Sequence, residues 1–234
     1  VVEIGKEVDP RQVQLGQRVM VHHYKGCGVC NHCADGWGQL CRDGIVVYGA
    51  TGHGAHAQYM KVPVSTLVPL SESLTHSEGA AISCGTGTAY AALRRLDISS
   101  GDTIAIFGQG PVGLSATQLA AAMGAHVVAI DISADRLSRA RQFGAEVVLD
   151  PTQENVVDQI RELTDGIGAN LSLECSSAPT ARLGAVQCVR TWGSACFVGE
   201  GGDVTIDVSN DMLRRQVTVS YTHLRAHETE ADLV

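Results

Sequence analysis

From Thr103 to Val198 the chain alternates short apolar runs with helix-length segments, and this alternation constrains its fold more than any other feature. Strands are read at Thr103–Phe107, His126–Ile130, Glu146–Leu149, Asn170–Cys175 and Ser194–Val198. Helices fit between them at Val112–Met123, Ala134–Phe143, Glu154–Leu163 and Pro179–Val189. Connections this short join parallel strands through covering helices, so an α/β fold with a doubly wound parallel sheet is predicted. Gly124 and Gly144 fall just past two helices, where the chain needs positive φ. Residues 1 to about 70 read differently. Their β-branched runs (Arg18–Val21, Ile45–Tyr48, Thr66–Val68) are short and broken by Gly and Pro, as in a small antiparallel barrel. The pattern changes near residue 72, where Thr75-x-x-Glu78 reads as a capping box opening a helix. A second helix is predicted over Thr88–Leu96.

Within the alternating region, Gly108-Gln109-Gly110-Pro111-Val112-Gly113 follows an apolar strand and opens a helix. Gly108 suits the tight turn, Gly110 lets backbone approach a pyrophosphate, and Gly113 lets helix and strand pack closely. Pro111 fits the first helical turn, where its missing N–H costs little. Asp131 ends the next strand, where a carboxylate accepts from the ribose hydroxyls of NAD and repels the 2′-phosphate of NADP. Arg136, one turn into the following helix, either contacts the ribose or is solvated.

Cys27, Cys30, Cys33 and Cys41 give C-x2-C-x2-C-x7-C, four thiols in one loop that can enclose a tetrahedral Zn²⁺ with no position open to substrate. Ferredoxin-type iron sites also begin C-x2-C-x2-C, but their fourth cysteine follows three residues later and precedes Pro; here Arg42 follows Cys41. His32, between ligands, is read as solvent-facing. Clustered thiols without a secretory signal point to a reducing, cytoplasmic setting. Seventeen Lys and Arg against 25 Asp and Glu give a formal charge of −8, with no basic cluster, which argues against nucleic acid or an anionic membrane as the main partner. No apolar run reaches membrane-spanning length.

Together these features resemble the zinc-containing medium-chain alcohol and polyol dehydrogenases over about residues 1–218. The likeness includes Leu15-Gly16-Gln17-Arg18-Val19 entering the cysteine lobe, Cys84-Gly85 ahead of Thr88-Ala89-Tyr90, the Gly108–Gly113 turn, Asp131, and Val198-Gly199. The resemblance implies part of a GroES-like catalytic domain with a structural zinc lobe at 1–71 and a truncated Rossmann NAD-binding domain at 72–218. It implies cofactor contacts from Gly108, Gly110, Pro111, Val112, Gly113, Asp131, Arg136, Val198 and Gly199. Cys84 would be the last ligand of a catalytic zinc that polarises the substrate oxygen while NAD accepts hydride. A homo-oligomer acting on a small alcohol or polyol is expected. The alternative is a non-catalytic, NAD-binding redox sensor that retains only structural zinc. A zinc-free quinone reductase is disfavoured by the four-cysteine lobe.

The family's first catalytic cysteine and its Gly-His-Glu segment lie upstream of a stretch like Val1-Val2-Glu3-Ile4-Gly5, and neither occurs between Val1 and Thr218. His22, His23, His53 and His56 lie outside the family's ligand motif and are read as surface or strand histidines. The 234-residue chain is therefore expected to bind NAD without oxidising alcohol, and no catalytic residue is assigned within it. Residues 219–229 match one translated frame of a sequencing-library transposon adapter, so 219–234 is expected to be a non-native tail rather than a native helix. Residues 221–234 are then expected to make few apolar contacts with the core.

Overall fold

The computed structural model describes residues 1–222, which divide into two compact units, residues 1–87 and the chain from Thr88 onward. The first unit is made of short pieces. In chain order these are β1 (Val19–Val21), β2 (Tyr24–Lys25), α1 (Asn31–Ala34), β3 (Val46–Val47), β4 (Leu67–Pro69) and α2 (His76–Ala81). β1 pairs antiparallel with β4, Met20 opposite Val68, and β2 pairs with β3. Its apolar cluster is small: Met20, Val68 and Leu70, with Leu74 and Ile82 against them.

The capping box forms in full. Thr75 Oγ1 accepts from the Glu78 N–H at 3.2 Å, and Glu78 Oε2 accepts from the Thr75 N–H at 2.6 Å. A Cβ on Gly79 would lie 2.9 Å from Leu70 Cδ1 and 3.1 Å from Met20 Cγ, so α2 sits hard against this small cluster. That packing carries residues 72–87 with the first unit, beyond the composition change near residue 72.

The second unit follows the alternating pattern. After α3 (Gly87–Arg95) come β5 (Thr103–Phe107), α4 (Pro111–Ala122), β6 (His126–Ile130), α5 (Ala134–Gln142), β7 (Val147–Leu149), α6 (Val156–Leu163), β8 (Ala169–Glu174), α7 (Pro179–Cys188), β9 (Val189–Phe197) and β10 (Thr218–Tyr221). All six strands are parallel, in the order β10-β9-β8-β5-β6-β7. Winding reverses between β8 and β5. Both faces are covered, as a parallel sheet requires. On β5, Ile104 and Ile106 enter one core with Leu93, Val127, Leu173 and Cys196. Ala105 and Phe107 enter the other with Val128, Ile130, Ile160 and Val186. Gly124 and Gly144 adopt φ of 87° and 102°, as their places after α4 and α5 require.

β9 begins at Val189 rather than Ser194. α7 passes straight into it, and the register with β8 shifts beyond Ala169 while Trp192 takes φ of 61°. Sequence patterning misses this because the irregular segment interrupts the alternation. Of the adapter-like tail, residues 219–221 continue β10 and pair with Ala195–Phe197. Pairing is a backbone property, and Val and Tyr favour strands whatever their origin. Tyr221 is 76% exposed, while Val219 packs partly against the second core. The rest of the expected tail lies outside the described residues.

Candidate dinucleotide site and metal centre

The turn after β5 is built as its glycines require. Gly108 takes φ of 86°, and its N–H donates to the Ile130 carbonyl at 2.7 Å, binding the turn to β6. A Cβ on Gly113 would overlap the Gly108 carbonyl oxygen, so only glycine lets α4 start this close to β5. At Gly110 a Cβ would meet nothing within 4 Å, leaving backbone open to the space in front. Pro111 occupies the first helical turn and Val112 follows it.

Gln109 fills the buried side of the turn, a role that motif reading misses. Its Nε2 donates to the Ile106 carbonyl at 3.0 Å, and its Oε1 accepts from Thr117 Oγ1 at 2.9 Å. The available signal was an amide between two glycines, one turn-pair ahead of a helix threonine.

Asp131 ends β6 facing this turn. Its Oδ2 accepts from the Gln109 N–H at 2.6 Å and its Oδ1 from the Ser133 N–H at 2.9 Å. A carboxylate offers about four acceptor positions, so both oxygens can still take ribose hydroxyls. Arg136 Nη1 stands 3.6 Å from Oδ2, with its side chain more than half exposed. Gly108, Gly110, Asp131, Ile132, Arg136 and Ser176 line one crevice of about 640 Å³ at the carboxyl ends of the strands. Open α/β sheets bind ligands in such a crevice, where winding reverses. The donor set fits a dinucleotide: exposed turn backbone for pyrophosphate and an acid for ribose. Gly113 packs beneath the turn. Val198 and Gly199 lie across the switch point at the end of β9, outside this crevice's lining, where their N–H groups donate to the Glu174 carbonyl at 2.9 and 3.1 Å.

In the first unit, the sulfur atoms of Cys27, Cys30, Cys33 and Cys41 all lie within 4.8 Å of one another. Cys27 and Cys33 sulfurs are 4.0 Å apart, and those of Cys30 and Cys41 are 3.9 Å apart. Four sulfurs about 2.3 Å from one Zn²⁺ would stand roughly 3.8 Å from each other, a spacing close to that of these two pairs, so the set fits a tetrahedral zinc. Backbone donors face it: the N–H groups of Val29 and Cys30 point at Cys27 Sγ, and that of Cys27 at Cys41 Sγ. The backbone N–H of Arg42, with that of Cys33, pulls the Cys30 thiol down to about 6. The lobe closes tightly, since a Cβ on Gly26 would overlap Cys33 Sγ.

Cys84 lies apart from this set, on a π-turn over Ile82–Thr86 between α2 and α3. Such single π-turns recur at functional positions. Among the described residues Cys84 joins no cluster of three metal-ligating side chains, and neither do His22, His23, His53 or His56. His22 is buried, His23 packs against Tyr24 with tilted rings whose centres are 4.2 Å apart, and His53 and His56 are exposed.

Comparison with known proteins gives the family. The alcohol dehydrogenase GroES-like domain family matches residues 1–72, and the zinc-binding dehydrogenase family matches residues 111–234. The uncharacterized zinc-type alcohol dehydrogenase-like protein YphC of Escherichia coli is 38% identical over 212 residues, covering 88% of this chain and 59% of that protein. An alcohol dehydrogenase of Geobacillus stearothermophilus is 32% identical over 201 residues, covering 85% of this chain and 59% of its own. The solved alcohol dehydrogenase of Thermus sp. ATN1 superposes with a TM-score of 0.86 at 29% identity, covering 96% of this chain and 68% of that one. The chain thus spans about three fifths of the length of the curated relatives it matches. No helix among the described residues is long and apolar enough to cross a membrane. With a thiol cluster at zinc spacing in one unit and a glycine turn facing an acid in the other, the chain belongs to the zinc-binding dehydrogenase family.

Proposed function

We propose that this chain binds NAD in the crevice between the Gly108–Gly113 turn and Asp131, and zinc through Cys27, Cys30, Cys33 and Cys41. As part of a whole protein it would oxidise a small alcohol or polyol. The observation that carries the reading is Asp131, a carboxylate at the end of β6 that faces the glycine turn and retains acceptor capacity toward the crevice. When bound, NAD supplies the hydride acceptor and the enclosed zinc a cross-link for its loop.

The chain's own residues bind and orient. The Gly110 backbone and the first N–H groups of α4 face the pyrophosphate, while Gln109 and Thr117 hold the turn rigid from below. Asp131 accepts from the ribose and, by its charge, disfavours a 2′-phosphate. Arg136 is placed to steady that carboxylate. Val198 and Gly199 border the other half of the cofactor, and Cys84 is proposed as a zinc ligand in the whole protein. Because Cys84 has no clustered partners among the described residues, the 234-residue chain is proposed to bind NAD without oxidising alcohol. The whole protein is proposed to be a cytoplasmic homo-oligomer with no nucleic-acid or membrane partner, in keeping with its acidic charge. Residues 219–234 are proposed to be a non-native tail, of which 221–234 are dispensable for NAD binding.

Titration with NADH and NADPH tests the reading, together with zinc analysis. NADH binding more tightly than NADPH, with close to one zinc per chain, is expected. Equal binding of the two cofactors, or no zinc after reconstitution, would overturn it. Measurable alcohol oxidation by this chain would contradict binding without chemistry.

A further inference from the structure

The last residue of β8, Glu174, is fully buried, and Arg182 on α7 is 9% exposed. Glu174 Oε2 and Arg182 Nε are 3.7 Å apart. Neither side chain is spent on the core. Glu174 Oε1 accepts from the Ser176 N–H at 2.6 Å, the Ser176 hydroxyl at 2.7 Å and the Ser177 N–H at 2.7 Å. The Arg182 fork donates to the carbonyls of Gly199 at 2.8 Å, Gly202 at 2.5 Å, and Gly201. One ion pair therefore holds two loops, the Ser176–Ser177 turn after β8 and the Gly199–Gly202 loop after β9.

Both loops are tightly seated. Ser177 takes φ of 66°, a left-handed conformation that a serine keeps only when its surroundings fix it. A Cβ on Gly199 would lie 2.5 Å from the Ser177 nitrogen and 2.8 Å from Glu174 Oε2. A Cβ on Gly108 would lie 2.8 Å from Ser176 Cβ, so the turn held by Glu174 also abuts the dinucleotide turn.

Position in the sheet gives the pair its meaning. Asp131 marks the β6 side of the switch point for the adenosine half of a dinucleotide. The symmetry of a doubly wound sheet then puts the second nucleotide half outside the carboxyl ends of β8 and β9. Those ends are the two loops the pair holds. A buried ion pair is a poor way to gain stability, because apolar residues of the same volume do as well. It is a good way to fix carbonyls and amides that the chain cannot pair otherwise.

We propose that Glu174 and Arg182 are positioning residues that hold the Gly199–Gly202 loop in place for the nicotinamide half of the bound dinucleotide. The inference rests on the dinucleotide reading of the crevice. It differs from that reading in assigning the two halves of the cofactor to separable groups of residues.

ADP-ribose, which lacks the nicotinamide, separates the two. The full chain should bind NADH more tightly than ADP-ribose, and bound NADH should show altered nicotinamide fluorescence. In Arg182→Met, NADH affinity should fall about tenfold while ADP-ribose affinity stays within about twofold. Arg182→Lys, which keeps the charge but loses the fork, should fall between. Glu174→Gln keeps shape and acceptor, and should weaken NADH more than ADP-ribose, together with faster amide exchange at Gly199–Gly202. It also serves if the methionine variant does not fold. Variants that lose neither ligand, or lose both in equal proportion, would overturn the inference alone, as would equal binding of NADH and ADP-ribose by the unmodified chain. Failure of the unmodified chain to bind either ligand would overturn the dinucleotide reading, and the inference with it.

Discussion

The two units of this chain hold themselves together by different means. The unit from Thr88 onward covers a six-stranded parallel sheet on both faces with large apolar clusters. The first unit has two two-stranded sheets and one small cluster around Met20, Val68 and Leu70. A small core cannot by itself offset the entropy of ordering long loops, and a metal is a common remedy. The four-thiol lobe sits in the unit with the small core. Metal bound there would be a term of folding, whereas the glycine turn and Asp131 lie at the end of a sheet covered by its own apolar clusters.

Zinc removal is the largest way to break this contrast. A strong chelator should release the metal and, with it, amide-exchange protection over residues 26–44, leaving the sheet amides of β5, β6 and β8 unchanged. Structural zinc sites are worth an apparent ~10–16 kcal/mol in small domains, far more than the first unit's apolar cluster supplies. Cys33→Ala should do the same without chelator. A lobe that keeps its protection after metal loss would show that its fold rests on something else.

Gly113→Val is the counterpart in the second unit. The added Cβ would overlap the Gly108 carbonyl, so turn and helix must separate. Loss of NADH binding is expected, with destabilisation of about 1–3 kcal/mol, the usual cost of overpacking. Calorimetry should show this unit's transition lowered and the zinc-bound lobe's unchanged. A variant that binds NADH normally would mean that the turn is not the phosphate site.

A smaller effect separates binding from discrimination. Asp131→Asn keeps acceptor capacity but removes the charge that repels a 2′-phosphate. The ratio of NADPH to NADH dissociation constants should narrow by roughly tenfold, about 1.4 kcal/mol. Asp131→Gly should narrow it further and weaken both cofactors, because it also frees the Gln109 and Ser133 amides. An unchanged ratio in both variants would remove Asp131 from cofactor selection.

What the sequence revealed follows the same division. In the second unit, strands β5 and β6 have the predicted ends, because a twice-covered sheet leaves continuous apolar runs between glycine punctuation. The cysteine spacing picked out four thiols that the structure brings together, since spacing within one loop is a local property. Long-range partners were not legible. Glu174 looks like a strand-end acid until α7 brings Arg182 against it, and Gln109 looks like a variable position until Thr117 lies beneath it. Cys84 stood out only through the Cys84-Gly85 context of the resemblance, and its π-turn was not legible because it depends on how two helices join. β10 was not legible, since residues 219–229 match an adapter frame and so read as a foreign tail.

The smallest predicted effect lies at α2, the helix that ties residues 72–87 to the first unit. Thr75→Ala removes one half of the capping box, and an N-cap threonine is worth about 1 kcal/mol. Glu78 supplies the other half and brings pH dependence. The Thr75 N–H, and then its hydroxyl, hold the Glu78 carboxyl below the usual carboxylate range. Because the folded value is the lower one, this contribution is present above the ordinary carboxylate range and is lost as pH falls through the depressed value. Glu78→Gln should flatten that part of the first unit's stability curve while leaving the second unit's curve unchanged. The measurement is exchange protection of the α2 amides between neutral and acid pH in zinc-loaded protein. If protection of α2 and of the β5–β6 sheet declines together with pH in both proteins, the two units unfold as one, and the contrast drawn between them fails at its weakest joint.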